Sequence, residues 1–527
     1  MHETEVLIVG AGPTGLVTAL WLSRQGIKVR ITDRAKRTAT TSRALAVHAR
    51  TLELYRQLDL GDRLVALGHP LGATNIWTQG VHRFRIPFGH FGMGLTPYPY
   101  ILIVPQDVQE RLLEERLKDF GVEVERNMEL VDFAKNDGGV VARFRDPRTR
   151  NPSLMESSEV ADDLQTCEAA YIVGCDGAHS AVRHTAGIKF TGETYGQIFF
   201  VADIEGQGPA INGEGHLQLD GDVTFLTLAY DSKRHARLIG NVDGKQLADI
   251  QAKEDISKVN FEDLALATPA MRQMMQIDKV NWFTAYRVHH RVADKFRSGR
   301  AFLVGDAAHI HSPVGGQGMN TGIGDAINLT WKLATVLQRK ADASLLDTYE
   351  SERRAFALTL VETTDSAFNK LAARGWLANF MRSYLIPFVV KLAVKFGFVR
   401  RRIFFGLSQL KIQYQHSLLS AGSAGTIKGG DRLPWVSVGE GDNYESLKQI
   451  TWQVHVYGDS SPELVKWCQL RNIPLHCFSW TSQYGQAGLA RNAAYLIRPD
   501  TYVAVAEASG KPERFDSFFR YTQLNVS

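Results

Sequence analysis

Apolar and polar positions follow two kinds of pattern along this chain. Short, largely apolar runs at 5–9 (EVLIV), 28–32, 170–174 (AYIVG) and 301–304 read as strands buried on both faces. Helical spacing follows the first run, where Gly26 ends the helix, and the last, where Ile323, Ala326, Ile327, Leu329 and Leu333 recur. The stretch 41–60 reads as mostly helical, with Leu52, Tyr55 and Leu58 on one face. Further helices are predicted at 106–120 and 344–371, the latter with Ser344 as N-cap. Strands are predicted at 122–125, 130–134 and 139–144. From 195 to 285 apolar and polar residues alternate in FFVADI, HLQLD, VTFLTLAY and HARLIGNV, with one helical stretch at 261–275. That predicts a mostly antiparallel sheet with a helix. Residues 151–166 form a polar, acidic loop, and there are no internal repeats.

The result is a chain of α/β and α+β class. A discontinuous, Rossmann-like domain occupies 1–71, 101–187 and 286–370. A mostly antiparallel sheet domain occupies 72–100 and 188–285, and a helical linker spans 371–427. Residues 428–527 form a C-terminal domain. There the turn Gly429-Gly430-Asp431-Arg432-Leu433-Pro434 leads to strand 451–457, helix 462–471, strand 475–480, an antiparallel pair (495–498, 502–506) and helix 512–524. This order is thioredoxin-like, but the domain lacks CxxC, so packing or dimerisation is its expected role rather than redox work.

With 527 residues, 44% hydrophobic and 22% charged, the composition is that of a folded, multi-domain protein. A net charge of +4 over this length does not indicate nucleic acid. Cys167, Cys175, Cys468 and Cys477 match neither a disulfide framework nor a metal pattern. A reduced, cytoplasmic setting and no metal are expected, and no signal peptide fits before the first strand. The apolar region 376–405 is interrupted by charge, with only eight uncharged residues between Arg382 and Lys391, whereas spanning needs about 20. No transmembrane segment is expected. Helices packed on the protein body are the primary reading, and a cationic amphipathic face at a membrane surface is the alternative.

Three stretches carry chemistry. Gly10-Ala11-Gly12-Pro13-Thr14-Gly15 sits between strand and helix, and Asp33 ends the next strand. This is the dinucleotide fingerprint in its proper context. Its first glycine makes the turn, the second admits a pyrophosphate, the third lets helix pack on strand, and Asp33 accepts from ribose hydroxyls. Arg43 reads either as a pyrophosphate contact or as a solvated charge. The second stretch, Cys175-Asp176-Gly177-Ala178-His179-Ser180-Ala181-Val182-Arg183, follows strand 170–174. The third runs from 300 to 334: a strand stops at Gly305-Asp306, then come Pro313, the glycines Gly315, Gly316 and Gly318, and a helix. The glycines let backbone pass close to something flat, and the helix aims N–H groups and partial positive charge at it. Asp306 can accept from hydroxyls. Together these suit a sugar-alcohol chain leading to a ring that becomes anionic.

In this order the motifs resemble the class A flavoprotein monooxygenases, the para-hydroxybenzoate hydroxylase fold. The tail resembles the phenol hydroxylase and aromatic polyketide hydroxylase branch. The match covers essentially the whole chain, and GDAAHIHSPVGGQGMNTGIGDAINLTWKLA is its most specific part. The resemblance implies FAD, with 1–71, 101–187 and 286–370 as the FAD-binding domain and 72–100 with 188–285 as the substrate domain. Gly10, Gly12, Gly15 and Asp33 would hold its ADP half, and Arg43 and Gln106 the pyrophosphate and ribityl regions. Asp176 and Gly177 would serve FAD and NAD(P)H together, and Asp306 the ribityl chain. Pro313, Gly315, Gly316, Gly318, Met319 and Asn320 would lie along the isoalloxazine. The implied chemistry takes hydride from NADPH or NADH, adds O2 as a C4a-hydroperoxide, and hydroxylates an electron-rich ring in a dry pocket. Pro313, Gly315 and Gly316 would form the catalytic loop, with no certain side-chain acid or base.

The aromatics Trp77, Phe84, Phe88, His90, Phe91, Tyr98 and Tyr100, with little charge among them, favour a hydrophobic substrate over a small carboxylate, and the resemblance implies a small aromatic one, phenolic, polycyclic or quinone-like. His90, Tyr98, Tyr100, His216, Tyr230, Arg287, His289, His309 and His311 read as structural. A monomer or homodimer is expected. An FAD reductase of isoprenoid double bonds and a non-enzymatic flavin-binding interaction protein are the competing readings. An ordinary NAD dehydrogenase would explain GAGPTG but not the Asp176 and Asp306 motifs.

Overall fold

A computed structural model describes residues 2–38, 44–89, 91–136, 138–149, 164–219, 223–230, 234–242, 260–262, 269–312, 314–372 and 386–525. At its centre the strand His2–Val9 pairs in parallel with Val29–Asp33 on one side and Gln165–Gly174 on the other. Gln165–Gly174 pairs in turn, also in parallel, with Ala301–Leu303. Parallel neighbours need crossover connections; the helix Pro13–Arg24 supplies the first. Val6, Leu7, Ile8, Ile172 and Val173 are fully buried within one continuous core. The chain returns twice from a distance to place strands beside the first one, so the ends Val9, Thr32, Gly174 and Leu303 lie in a row.

A second eight-stranded sheet is antiparallel except where Gly215–Leu219 meets Ala73–Thr78. One of its faces covers a core of Trp77, Phe200, Phe225, Leu238, Met271 and Met274. Of the helix expected at 261–275, the segment Pro269–Met274 is helical, and 263–268 lies outside the described residues.

The C-terminal sheet has six strands. Gln453–Tyr457 pairs in parallel with Leu475–Phe478 across the helix Pro462–Leu470, and Ala494–Ile497 pairs antiparallel with Val503–Glu507. Two short strands ahead of Gly429, Ala421–Ala424 and Ile427–Lys428, belong to the same sheet. Buried charge holds this unit to the first. Arg498 donates to both oxygens of Glu352 (2.7 and 3.0 Å) and to Asp500, while Lys332 reaches Glu352 at 2.9 Å. Buried ions persist only when paired. Burial pushes the Glu352 carboxyl up, but Arg498 and Lys332 outweigh it and hold it well below the usual carboxylate range.

Two expectations need correction. Residues 41–60 are not one helix: Ala46–Val47 is a short strand paired with Ile101–Ile103, and the helix is Ala49–Arg56. His48 stays extended (φ −85, ψ 158) because its N–H and the Ala46 carbonyl are both bound by the Asn320 side chain. Asp342, not Ser344, caps the later helix; its carboxylate accepts the Ser344 N–H at 2.9 Å and starts a tight turn leading into Asp347–Ala372. Among the described residues, no helix is long and apolar enough to cross a membrane.

Candidate functional site

The three motifs of the sequence meet at the row of strand ends. Gly10, at φ +100, lies so close to the second motif that a Cβ there would stand 2.4 Å from the Cys175 carbonyl oxygen. Only glycine tolerates that conformation at such an approach. Thr14 touches the third motif: its hydroxyl would lie 2.8 Å from a Cβ on Gly305 and 2.6 Å from one on Gly322. Arg183 ties the second motif to the third, donating to the Ala307 carbonyl (2.9 Å) and the Ala178 carbonyl (2.7 Å) beneath the Phe190 ring. Gly10, Asp176 and Gly305 thus belong to one contiguous structure, although up to 295 positions separate them in sequence.

The space beside them has the character of a nucleotide cradle. Gly12 is uncrowded: a Cβ would meet nothing within 4 Å. The helix Pro13–Arg24 begins at Gly12 without a side-chain cap, so its first N–H groups face that space with the positive end of the helix dipole. Asp33 accepts the Ala11 N–H (2.7 Å) and the Ala35 N–H (2.7 Å), which sets its carboxylate against the glycine loop. Asp176 Oδ1 is buried without a hydrogen-bond partner, while Oδ2 accepts the Val182 N–H at 3.2 Å. Burial pushes the Asp176 carboxyl above its ordinary value. A buried acceptor without a donor and an open glycine turn fit a polar, phosphate-bearing group. Asp306 is exposed at the end of its strand, with buried residues on both sides.

The glycine loop of the third motif is held from behind. Asn320, in the first turn of Gly318–Leu337, accepts the His48 N–H (2.9 Å) and the Thr51 hydroxyl (2.8 Å). It donates to the carbonyls of Ala46 (2.9 Å) and Gly316 (2.9 Å). His48 Nε2 donates to the Gly315 carbonyl at 3.1 Å, and burial lowers its pKa to about 4, so the ring stays neutral. Beneath Gly305, Asp325 takes its N–H (3.2 Å), His309 Nε2 (2.7 Å) and Arg353 Nε (2.6 Å). Burial alone would raise the Asp325 carboxyl, yet Arg353 and His309 hold it low. The helix Gly318–Leu337 has no side-chain cap and directs its N-terminus at the loop.

Other sequence candidates are placed differently. Arg43, His90 and Pro313 lie outside the described residues. Gln106 opens the helix Gln106–Lys118 and donates to Glu110 at 2.7 Å; burial raises the Glu110 carboxyl to about 7. His216 accepts from Trp77 Nε1 (3.1 Å) and donates to Asn212 (2.8 Å), Tyr98 donates to Asp62 (2.9 Å), and Tyr230 donates to Asp203 beside Arg237. His289 pairs with Thr194 at 2.7 Å, and Arg287 is exposed on its strand. His216, Tyr98, Tyr230 and His289 are thus held by framework side chains.

The aromatics of 77–100 also serve mainly as core: Trp77 faces the far side of the second sheet, and Phe91 and Tyr98 join the main core. The opposite face of that sheet carries an apolar row, beside the paired Asp203 and Arg237 with Tyr230. Val201, Ile239, Leu226, Leu217, Ile76 and Phe84 form one row across it. Leu226, Ile239 and Ala46 all pack against the cluster of Leu45, Leu71, Ile103 and Leu228, and the Ala46 side chain lies 3.1 Å from where a Gly316 Cβ would be. The apolar face therefore runs up to the glycine loop.

Comparison with known proteins agrees with this geometry. The model of a family described as "FAD binding domain" matches residues 3–364. The 6-methylpretetramide 4-monooxygenase of Streptomyces rimosus is 35% identical over 420 residues, covering 80% of this chain and 71% of the relative. The anhydrotetracycline hydroxylase OxyS from Streptomyces rimosus superposes with a TM-score of 0.77 at 26% identity, over 100% of this chain and 99% of that one. The rebeccamycin biosynthetic enzyme RebC, solved with reduced flavin, superposes with a TM-score of 0.77 at 25% identity, over 99% of both chains.

Proposed function

The chain belongs to the FAD binding domain family, whose relatives here are flavin-dependent monooxygenases, and we propose that it hydroxylates a hydrophobic phenolic or polycyclic aromatic compound with NADPH or NADH and O2. The observation that carries this reading is the apolar row running from Val201 to Phe84, which shares the Leu45 and Leu71 cluster with Ala46 beside Gly316. It suits a flat apolar ring and repels water. Relatives named as a 6-methylpretetramide monooxygenase and an anhydrotetracycline hydroxylase support an oxygenation reading.

Bound FAD supplies oxygen transfer once it is reduced; the chain supplies position and dryness. Gly10, Gly12, Gly15 and Asp33 hold the ADP half, with the uncapped end of Pro13–Arg24 on the phosphates. Arg43 and Gln106 contact the pyrophosphate and ribityl regions, and Asp306 the ribityl hydroxyls. Asp176 and Gly177 serve FAD and the nicotinamide cofactor. Pro313, Gly315, Gly316, Gly318, Met319 and Asn320 form the ring-side loop. Its backbone is fixed by Asn320 and by neutral His48, and the end of Gly318–Leu337 stabilises negative charge on the ring. Excluding water from the apolar row prevents loss of the reactive oxygen as peroxide.

The proposed division is an FAD domain (1–71, 101–187, 286–370), a substrate domain (72–100, 188–285), a linker and a tail from 428; the pairing of Ala73–Thr78 with Gly215–Leu219 in the second sheet supports joining 72–100 to 188–285. The tail is thioredoxin-like in element order, has no CxxC, and acts in packing or dimerisation of a monomeric or homodimeric enzyme. The four free cysteines support a reducing, cytoplasmic setting.

The test is purified FAD-loaded protein screened against phenols, naphthols and quinones, following NADPH and NADH oxidation and product mass under 18O2. One 18O atom in the product is expected. Aromatic-stimulated turnover that leaves every product without added oxygen would refute the reading.

A further inference from the structure

Between Asp365 and Asp431 the chain carries ten lysines and arginines and no acidic residue. Since the whole chain is only +4, the remainder is net acidic. The described part of this segment forms two helices, Ile386–Ala393 and Gly397–Leu407. Their inner side is seated: Val390 packs on the cluster of Ile76, Phe84 and Leu219, Phe404 is buried against Gly92, and Arg400 lies over the Phe91 ring. Their outer side is bare. Phe388 (67% exposed), Val389 (51%), Leu392 (50%), Phe396 (54%) and Phe398 (72%) project from it. Lys391, Lys395, Arg401 and Arg402 are exposed among them.

Scattered exposed apolar residues are ordinary, but a cluster marks an interaction surface. The charge selects the partner. Bulky apolar side chains ringed by cations, with no carboxylate in the segment, complement a surface that is oily within and anionic at its rim. Lysine and arginine stems can lie along the acyl boundary while their heads meet phosphates. A second copy would bring the same positive charges face to face. At about 1.5 Å per residue neither helix approaches the roughly 30 Å of a bilayer core, so the helices would lie on the surface rather than cross it.

We propose that the helices Ile386–Ala393 and Gly397–Leu407 dock this protein on an anionic lipid bilayer. Val390 also seats the first helix on the far end of the apolar row, so a membrane-dissolved aromatic would be delivered beside its site. That consequence rests on the proposed reaction, whereas lipid docking does not and is measured without turnover.

The experiment sediments the full-length, FAD-loaded protein with vesicles of phosphatidylcholine, with and without phosphatidylglycerol. About tenfold more protein is expected to pellet with the anionic vesicles, and roughly 0.5 M salt should abolish most of that difference. Phe388→Ser with Phe398→Ser, and separately Lys395→Glu with Arg401→Glu, should each reduce anionic pelleting about tenfold while flavin absorbance and circular dichroism stay unchanged. Failure to pellet with anionic vesicles, or equal pelleting of the folded variants, overturns the proposal. So does a dimer by light scattering that Phe388→Ser with Phe398→Ser converts to monomer, because the face would then belong to a second copy.

Discussion

Asn320→Ala isolates the part of the site that holds the ring-side loop. Asn320 is almost fully buried and makes four hydrogen bonds, to His48, Thr51, Ala46 and Gly316. Alanine leaves two donors and two acceptors without their partner. A typical bond contributes about 1 kcal/mol net, and a buried group left unpaired costs about 1–3 kcal/mol. Water can enter the space of the missing amide, so the sum falls to about 3 kcal/mol. The loss is local, since the freed groups lie on the glycine loop and the segment Ala46 to Thr51. If FAD binding must restore that order, affinity weakens by up to about 100-fold, the equivalent of ~2.7 kcal/mol. The assay pairs FAD titration by flavin fluorescence quenching with thermal unfolding of the apoprotein. An FAD Kd within about twofold of the parent, together with unchanged unfolding, would show that the Asn320 bonds do not order the loop.

Other predictions follow from buried charge. Burial raises Glu110 to about 7, above its unfolded value, so its contribution to stability is complete below about pH 4.5 and is lost as pH rises through 7. Glu110→Gln, whose amide oxygen still accepts from Gln106, should be indistinguishable from the parent near pH 4.5 and more stable by about 2–3 kcal/mol at pH 8, read by denaturant unfolding at both pH values. Arg498→Met leaves Glu352 and Asp500 without their shared cation and should destabilise the docked C-terminal unit by about 3–5 kcal/mol, seen as earlier proteolysis and a lower unfolding midpoint.

The parts legible in the sequence were those set by local rules. Strand, glycine turn, helix and acid at 5–33 are contiguous, and so is the run from 301 to 334; periodicity and turn chemistry suffice for both. The antiparallel sheet announced itself by alternation. What escaped was set by partners far along the chain. Nothing near His48 shows that its ring will meet a carbonyl 267 positions away, or that this bond and the Asn320 contacts will keep the segment extended where propensity favours helix. The contacts made by Asp325, Thr14 and Arg183 were hidden for the same reason. The aromatics of 77–100 misled because composition cannot say which face of a strand meets the core: Trp77 turned toward the Phe200 and Met274 core, while its neighbour Ile76 joined the apolar row of the opposite face. The buried joint between Glu352 and Arg498 likewise joins segments that only the folded chain brings together.

The claim beneath all of this is that three strand ends form one cradle for FAD, with Gly12 facing its phosphates. Gly12 lies at φ −75 and ψ −177, which any residue adopts, and a Cβ there meets nothing within 4 Å. The most direct measurement is therefore the flavin content of purified Gly12→Val alongside its circular dichroism and unfolding midpoint. The account predicts a folded protein of parental stability that is colourless and takes up no added FAD. A folded Gly12→Val protein that is yellow, with one FAD per chain, would contradict it.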